Sequence, residues 1–257
     1  MTLAATLAAG CNYGAYFFRE THRPMQAIEA RMDPDVRRTC LLVMMPGMLD
    51  LPDDYLRHGF VADAAAASRR CDMVMLDAHF GYYRDGTLRR EVAADVLVVA
   101  DERGYEDIWL VGISMGGMGA LLVAQEYPEL VDGVVLLAPF LGEESLVTEI
   151  ERAGGLEAWE APEDVDRYDE AEYDDALWGW LQGYVEHADR MPALYIGVGT
   201  DDRLRPGIAL LAAHLPESHH GRADGGHDWS TWRVLWRRLL VSPPWDPNGS
   251  EPSLAGT

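Results

Sequence analysis

The pentapeptide Gly112-Ile113-Ser114-Met115-Gly116 sets a serine between glycines two residues before and two after it. That spacing suits a sharp strand-to-helix turn, which lifts the hydroxyl off the end of a sheet; side chains at the glycine positions would block it. The context fits: Asp107 to Val111 reads as a strand, and Met115 to Tyr127 as a helix that Pro128 ends. A serine hydroxyl is a weak nucleophile and needs a base. Gly225-Gly226-His227-Asp228-Trp229 supplies an imidazole on a loop that its glycines let swing. Gly199-Thr200-Asp201-Asp202-Arg203 supplies two carboxylates, either of which could orient the histidine and stabilise the imidazolium that forms.

Attack on a carbonyl also needs donors for the oxyanion. One is the N–H of the residue after the nucleophile, Met115. The second is expected from Pro46-Gly47-Met48-Leu49, the loop after the apolar run Leu41 to Met45. Met48 N–H is the preferred donor, with Leu49 next. His79 follows a strand ending at Asp77 and is a candidate substrate-facing residue. No His and Cys cluster has metal-ligand spacing, and no cofactor is implied.

These groups need a scaffold that sets them side by side. Strand patterns recur at Thr39 to Met45, Asp72 to Asp77, Asp107 to Val111, Val131 to Ala138 and Ala193 to Gly199. Helical patterns fall between them, at Asp54 to Arg70, Leu88 to Arg103 and Met115 to Tyr127. Pro206 to Leu215 and Trp229 to Val241 read as later helices, around a short strand near Ser218 to Arg222. The alternation predicts an α/β fold: a mostly parallel central sheet flanked by helices. Leu141 to Arg190 interrupts it with an acidic, aromatic stretch carrying Trp159, Tyr168, Tyr173, Trp178, Trp180 and Tyr184, read as a helical cap. Those rings either shape an apolar substrate pocket or form the cap's own core. Residues 1–38 read as a terminal segment with edge strands at Tyr13 to Arg19 and Met25 to Arg31. Residues 39–240 form the main domain, with the cap at about 141–190, and 241–257 a loose tail.

Of the 257 residues, 48% are hydrophobic and the formal net charge is −22, so the chain can build a large core and its surface repels phosphate backbones. Nucleic acid is therefore excluded as an expected partner. No apolar run reaches 20 residues, which argues against a spanning helix.

Together the serine pentapeptide, the Gly225-Gly226-His227-Asp228-Trp229 loop and Pro46-Gly47-Met48-Leu49 resemble the α/β-hydrolase superfamily from about Thr39 to Leu240. The resemblance implies a Ser-Asp-His triad without cofactor and an ester as first substrate. It also favours Asp202 over Asp201, because Asp202 stands three residues past Gly199, and it places His227 after the last strand. It sets the strands that follow Cys40 and Cys71 side by side, which implies a Cys40–Cys71 disulfide; the alternative is two buried thiols. Leu7-Ala8-Ala9-Gly10-Cys11 resembles a bacterial lipoprotein signal ending in a lipidated Cys11, though Met1 to Gly10 holds no basic residue. With the disulfide, that implies a cell-envelope or periplasmic setting; the alternative is cytoplasmic. The expected activity is carboxylic-ester hydrolysis through an acyl-enzyme on Ser114. The alternatives are a thioesterase, peptidase or amidase of the same fold, or a non-catalytic envelope binding protein.

Overall fold

The computed structural model describes residues 16–33, 35–67, 70–167, 169, 172–246 and 254. Cys11, the expected lipidation site, and Tyr168 lie outside them. In chain order the elements are β1 (Ala27–Ala30), β2 (Cys40–Met45), α1 (Asp54–Arg57), α2 (Phe60–Ala67), β3 (Cys71–Leu76), α3 (Phe80–Arg84) and α4 (Leu88–Val92). A π-helical turn (Ala93–Leu97) carries α4 into α5 (Val98–Glu102), followed by β4 (Asp107–Ile113), α6 (Met115–Glu126) and β5 (Gly133–Leu137). The insertion contributes α7 (Glu144–Ala153), α8 (Tyr173–Leu181) and α9 (Gly183–Glu186). The chain then returns through β6 (Ala193–Gly199), α10 (Arg205–Ala212), β7 (His220–Ala223) and α11 (Trp229–Val241).

The seven strands form one sheet in the order β1-β3-β2-β4-β5-β6-β7. Only β1 runs antiparallel, against β3. Every residue of β2, β3 and β5 is buried, as a parallel sheet covered on both faces requires. The strand order reverses direction at β2: β3 lies on one side of it and β4 on the other. The carboxyl ends of β2 and β4 therefore form a topological switch point, the place where such sheets open a crevice. Met45 pairs with Gly112 there, so the loops after both strands leave the sheet side by side.

Cys40 and Cys71 pair in register across β2 and β3 and are joined by a disulfide, with Cα atoms 4.5 Å apart. Among the described residues, no helix is long and apolar enough to cross a membrane.

Three details differ from the sequence reading, and the burial of the cap's rings matches one of its two alternatives. The helix expected over Asp54 to Arg70 is broken at Gly59 (φ +80°), where a side chain would strike the Arg233 guanidinium. Tyr16 and Phe17, expected in an edge strand, lie in a helical turn, with the Tyr16 ring buried edge-on to His79. The cap aromatics Trp159, Tyr173, Trp178 and Tyr184 are buried, and the Trp178 indole N–H donates to the Leu141 carbonyl. The tail expected to be loose returns to the body. Trp245 and Leu254 are buried, and Leu254 N–H donates to Ser218 O at 2.8 Å, because the tail's apolar side chains find uncovered surface beside β7 and the Trp109 ring.

Candidate active site

Ser114 follows β4 with φ 52° and ψ −119°, a strained conformation for a residue with a side chain. The neighbours enforce it. A Cβ on Gly112 would lie 2.4 Å from Gly116 O, and one on Gly116 would lie 2.1 Å from Met45 O, so only glycine fits at either position. Ser114 N–H donates to Leu137 O at 3.1 Å, and Ser114 O accepts from Gly117 N–H and Phe140 N–H, both at 2.9 Å. The non-glycine residues with positive φ among those described are Leu49, Ser114 and Ala138, which follow β2, β4 and β5 at the same sheet edge. Backbone strain is thus gathered where the chemistry would be.

The structure brings Ser114, His227 and Asp202 into one hydrogen-bonded line. His227 Nε2 lies 2.9 Å from Ser114 Oγ, and Nδ1 lies 2.8 Å from Asp202 Oδ2. The Asp202 side chain is fully buried and that of His227 is 21% exposed, so the carboxylate is sheltered while the imidazole reaches the surface. The other Asp202 oxygen accepts from Leu204 N–H at 2.9 Å, which fixes the carboxylate's rotation. Asp201 is exposed and does other work: its N–H donates to Gly225 O at 2.9 Å, tying the acid loop to the histidine loop. Asp228 caps α11, accepting from Ser230 N–H and Thr231 N–H, and these bonds, led by the Ser230 hydroxyl, lower its pKa. The Trp232 ring meets the imidazole edge-on at 5.0 Å and holds it from the side.

Gly47 O accepts from Asp50 N–H at 3.2 Å, so Met48 and Leu49 are the central residues of a turn. Leu49 has φ 73°, as the third position of a type II turn requires. The turn lies against Ser114: a Cβ on Gly47 would be 3.4 Å from Ser114 Cβ. Met48 N–H has no acceptor within such a turn, and Met115 N–H, opening α6, has none within its helix. Two tyrosines missed in the sequence brace these segments from below. Tyr55 OH donates to Met45 O at 2.8 Å and Tyr83 OH donates to Met115 O at 3.1 Å. Burial pushes both phenols far above their ordinary value, so they remain donors.

His79 takes a different role from the expected substrate-facing one. Its ring is 1% exposed, and Nδ1 accepts Gly81 N–H at 3.1 Å, capping α3. Burial and the Arg19 charge lower its pKa, as befits a neutral acceptor. A cavity of about 310 Å³ lies between the segments that follow β5 and β6, lined by Phe140, Leu141, Val147, Leu204 and Pro206 together with the charged Glu143, Glu144 and Arg203, and by none of the three triad candidates. Its walls are bonded to the site through Phe140 N–H on Ser114 and Leu204 N–H on Asp202. The cap thus contributes α7 to this cavity, while its indoles pack within the cap.

A family model described as the alpha/beta hydrolase fold matches residues 41–165, which carry β2 through β5 and the serine turn. The chain has the α/β-hydrolase fold. Among solved structures, the chain resembles a ferulic acid esterase (TM-score 0.53, 15% identity, covering 84% of this chain and 96% of the other). It also resembles S-formylglutathione hydrolase from Staphylococcus aureus (TM-score 0.53, 17% identity, 86% and 96%). A third likeness is to monoacylglycerol lipase from Paleococcus ferrophilus (TM-score 0.52, 17% identity, 84% and 98%). No curated protein matches by sequence.

Proposed function

We propose that this α/β-hydrolase cleaves a carboxylic ester through an acyl-enzyme on Ser114. The observation that carries the reading is the line Asp202–His227–Ser114, held at the switch point beside the turn that carries Met48 N–H. In the reactive tautomer Nδ1–H donates to Asp202, which leaves Nε2 free to accept the Ser114 proton. Ser114 Oγ attacks the carbonyl carbon, and the negative charge passes to the carbonyl oxygen, opposite Met48 N–H and Met115 N–H. Collapse breaks the C–O bond to the alcohol, which leaves with the proton from His227. Water then repeats the sequence, with His227 as base, to release the acid and restore Ser114.

The buried Asp202 carboxylate stabilises the imidazolium of each step without taking its proton. Each backbone donor on the oxyanion contributes about 2.7–4 kcal/mol at the transition state. Phe140, Leu141 and Val147 give the nearby cavity an apolar wall for an acyl or alcohol portion, opposite a charged rim of Glu143, Glu144 and Arg203. The ferulic acid esterase and the monoacylglycerol lipase are named for acting on esters, which supports the ester reading, while the S-formylglutathione hydrolase keeps a thioester as the alternative. An oxidising compartment is part of the proposal, supported by the Cys40–Cys71 bridge.

The test is covalent labelling with a fluorophosphonate. Wild type labels at Ser114, whereas Ser114→Ala does not and His227→Ala labels far more slowly. An unlabelled wild type sinks the reading. A panel of p-nitrophenyl esters of increasing chain length, with matched thioester and anilide substrates, then ranks ester against the alternative leaving groups.

A further inference from the structure

Asp50 closes the oxyanion turn, and its carboxylate folds back over it. A methyl group placed on Gly47 would lie 2.7 Å from Asp50 Oδ2 and 3.4 Å from Ser114 Cβ, so the oxygen and the nucleophile flank the same small space. The other oxygen, Oδ1, accepts the Trp229 indole N–H at 3.1 Å, which holds the side chain in this orientation. Trp229 is itself fixed, stacked on His58 at 4.5 Å and edge-on to Tyr55, Phe60 and Trp232. Among the described residues Oδ2 accepts no hydrogen bond and is not enclosed, and no arginine pairs with Asp50.

A carboxylate in this position works against the proposed reaction. Negative charge develops on the carbonyl oxygen beside it, and like charges at short range in a partly water-excluded site repel strongly. Burial raises the Asp50 pKa; the Trp229 N–H opposes this, Asp54 adds to it, and His58 and His227 partly offset it. The nearby phenols of Tyr16 and Tyr55 are neutral. The conflict disappears when the substrate brings its own positive charge. The net charge of −22 would also concentrate cationic ligands at the surface.

We propose that Asp50 is a specificity-determining residue that selects esters carrying a protonated or quaternary amine a few bonds from the scissile carbonyl. This rests on the serine-hydrolase reading. The ammonium group pairs with Oδ2 while Oδ1 stays on Trp229, so the carboxylate turns from a repulsive neighbour of the oxyanion into a binding contact. The amine can belong to the acyl part or to the alcohol, and the two sources are separable by experiment.

The experiment compares isosteric substrate pairs by acid release at constant pH. Glycine ethyl ester against ethyl propionate tests an acyl amine, and acetylcholine against 3,3-dimethylbutyl acetate tests an alcohol amine. Wild type favours the charged member of one pair by about tenfold in kcat/KM, a modest figure because the site admits water. Asp50→Asn keeps the Trp229 hydrogen bond and removes the charge. It lowers kcat/KM for the charged ester, raises it for the neutral one, and cuts their ratio by about tenfold, each ratio being taken relative to that of the hydroxide reaction. Added salt shrinks the same preference in the wild type, a readout that needs no variant. Preference for the neutral ester in both pairs overturns the proposal. So does a charged-to-neutral ratio that Asp50→Asn leaves unchanged in protein that still labels with fluorophosphonate at Ser114. An unlabelled wild type overturns the hydrolase reading itself, and the proposal with it.

Discussion

Replacing Cys40 and Cys71 together by alanine tests whether β2 and β3 are cross-linked as the register places them. The two residues are 31 apart in sequence, and the bond closes that loop, which holds α1 and α2, in the unfolded chain. Loop-closure entropy for a ring of that size is about 12 cal/mol/K, or about 3.7 kcal/mol at 25 °C. Both side chains are buried, at 1% and 4% exposure, so the alanine pair also loses two sulfur contacts and does not unmask a surface. For a domain of 150–250 residues each kcal/mol moves Tm by roughly 2–4 °C, so the expected fall is about 7–15 °C. The assay is thermal unfolding followed by circular dichroism for oxidised wild type, reduced wild type and the double variant. Intact mass with and without thiol alkylation reports the state of the bridge. Reduced wild type and the double variant should melt close together and well below the oxidised protein. A spread under about 3 °C between all three, with the bridge shown to be intact in the first, would refute the loop-entropy reasoning.

Three further outcomes follow from the same geometry. Asp202→Asn offers His227 the wrong hydrogen-bond partner and should cut ester turnover by about 10⁴-fold, while Asp201→Asn leaves it within about threefold of wild type; equal losses would place the acid elsewhere. The Arg233 guanidinium, with Arg237, holds the Asp63 carboxyl at about 2 against its ordinary 3.8 and pins α11, behind His227, to α2. Because that pKa is lowered on folding, the contribution is full above 3.8 and is lost as pH falls through about 2. Asp63→Asn should lower urea stability by up to about 1 kcal/mol at neutral pH, with the gap closing in strong acid; a gap that widens there contradicts the assignment. Leu254→Ala should cost about 2 kcal/mol and speed proteolysis of the tail, since the side chain is fully buried and its carbonyl crowds Gly221. An unchanged cleavage rate would mean that the tail does not dock.

The serine turn was legible in the sequence because its chemistry and its backbone constraint coincide. Gly112 and Gly116 are glycines for the steric reason that exposes Ser114, so one short pattern marks both. The strands β2 to β6 were legible because burial on both faces leaves each a continuous apolar run, bounded by turn residues. His227 was recognisable by its glycine loop. The preference for Asp202 over Asp201 came only from the spacing past Gly199 that the resemblance supplies, since two adjacent carboxylates have the same chemistry. The turn after β6 decides it, burying Asp202 toward the imidazole and leaving Asp201 in solvent. The roles of Tyr55, Tyr83, Asp50 and Trp229 depend on contacts across 10, 32 and 179 positions, and no local pattern encodes such separations. His79 was misplaced for the same reason: its position after a strand is a local fact, whereas its burial under Tyr16 and Tyr82 is a tertiary one. Local backbone sterics thus determined where a nucleophile could stand, and long-range packing decided which groups surround it.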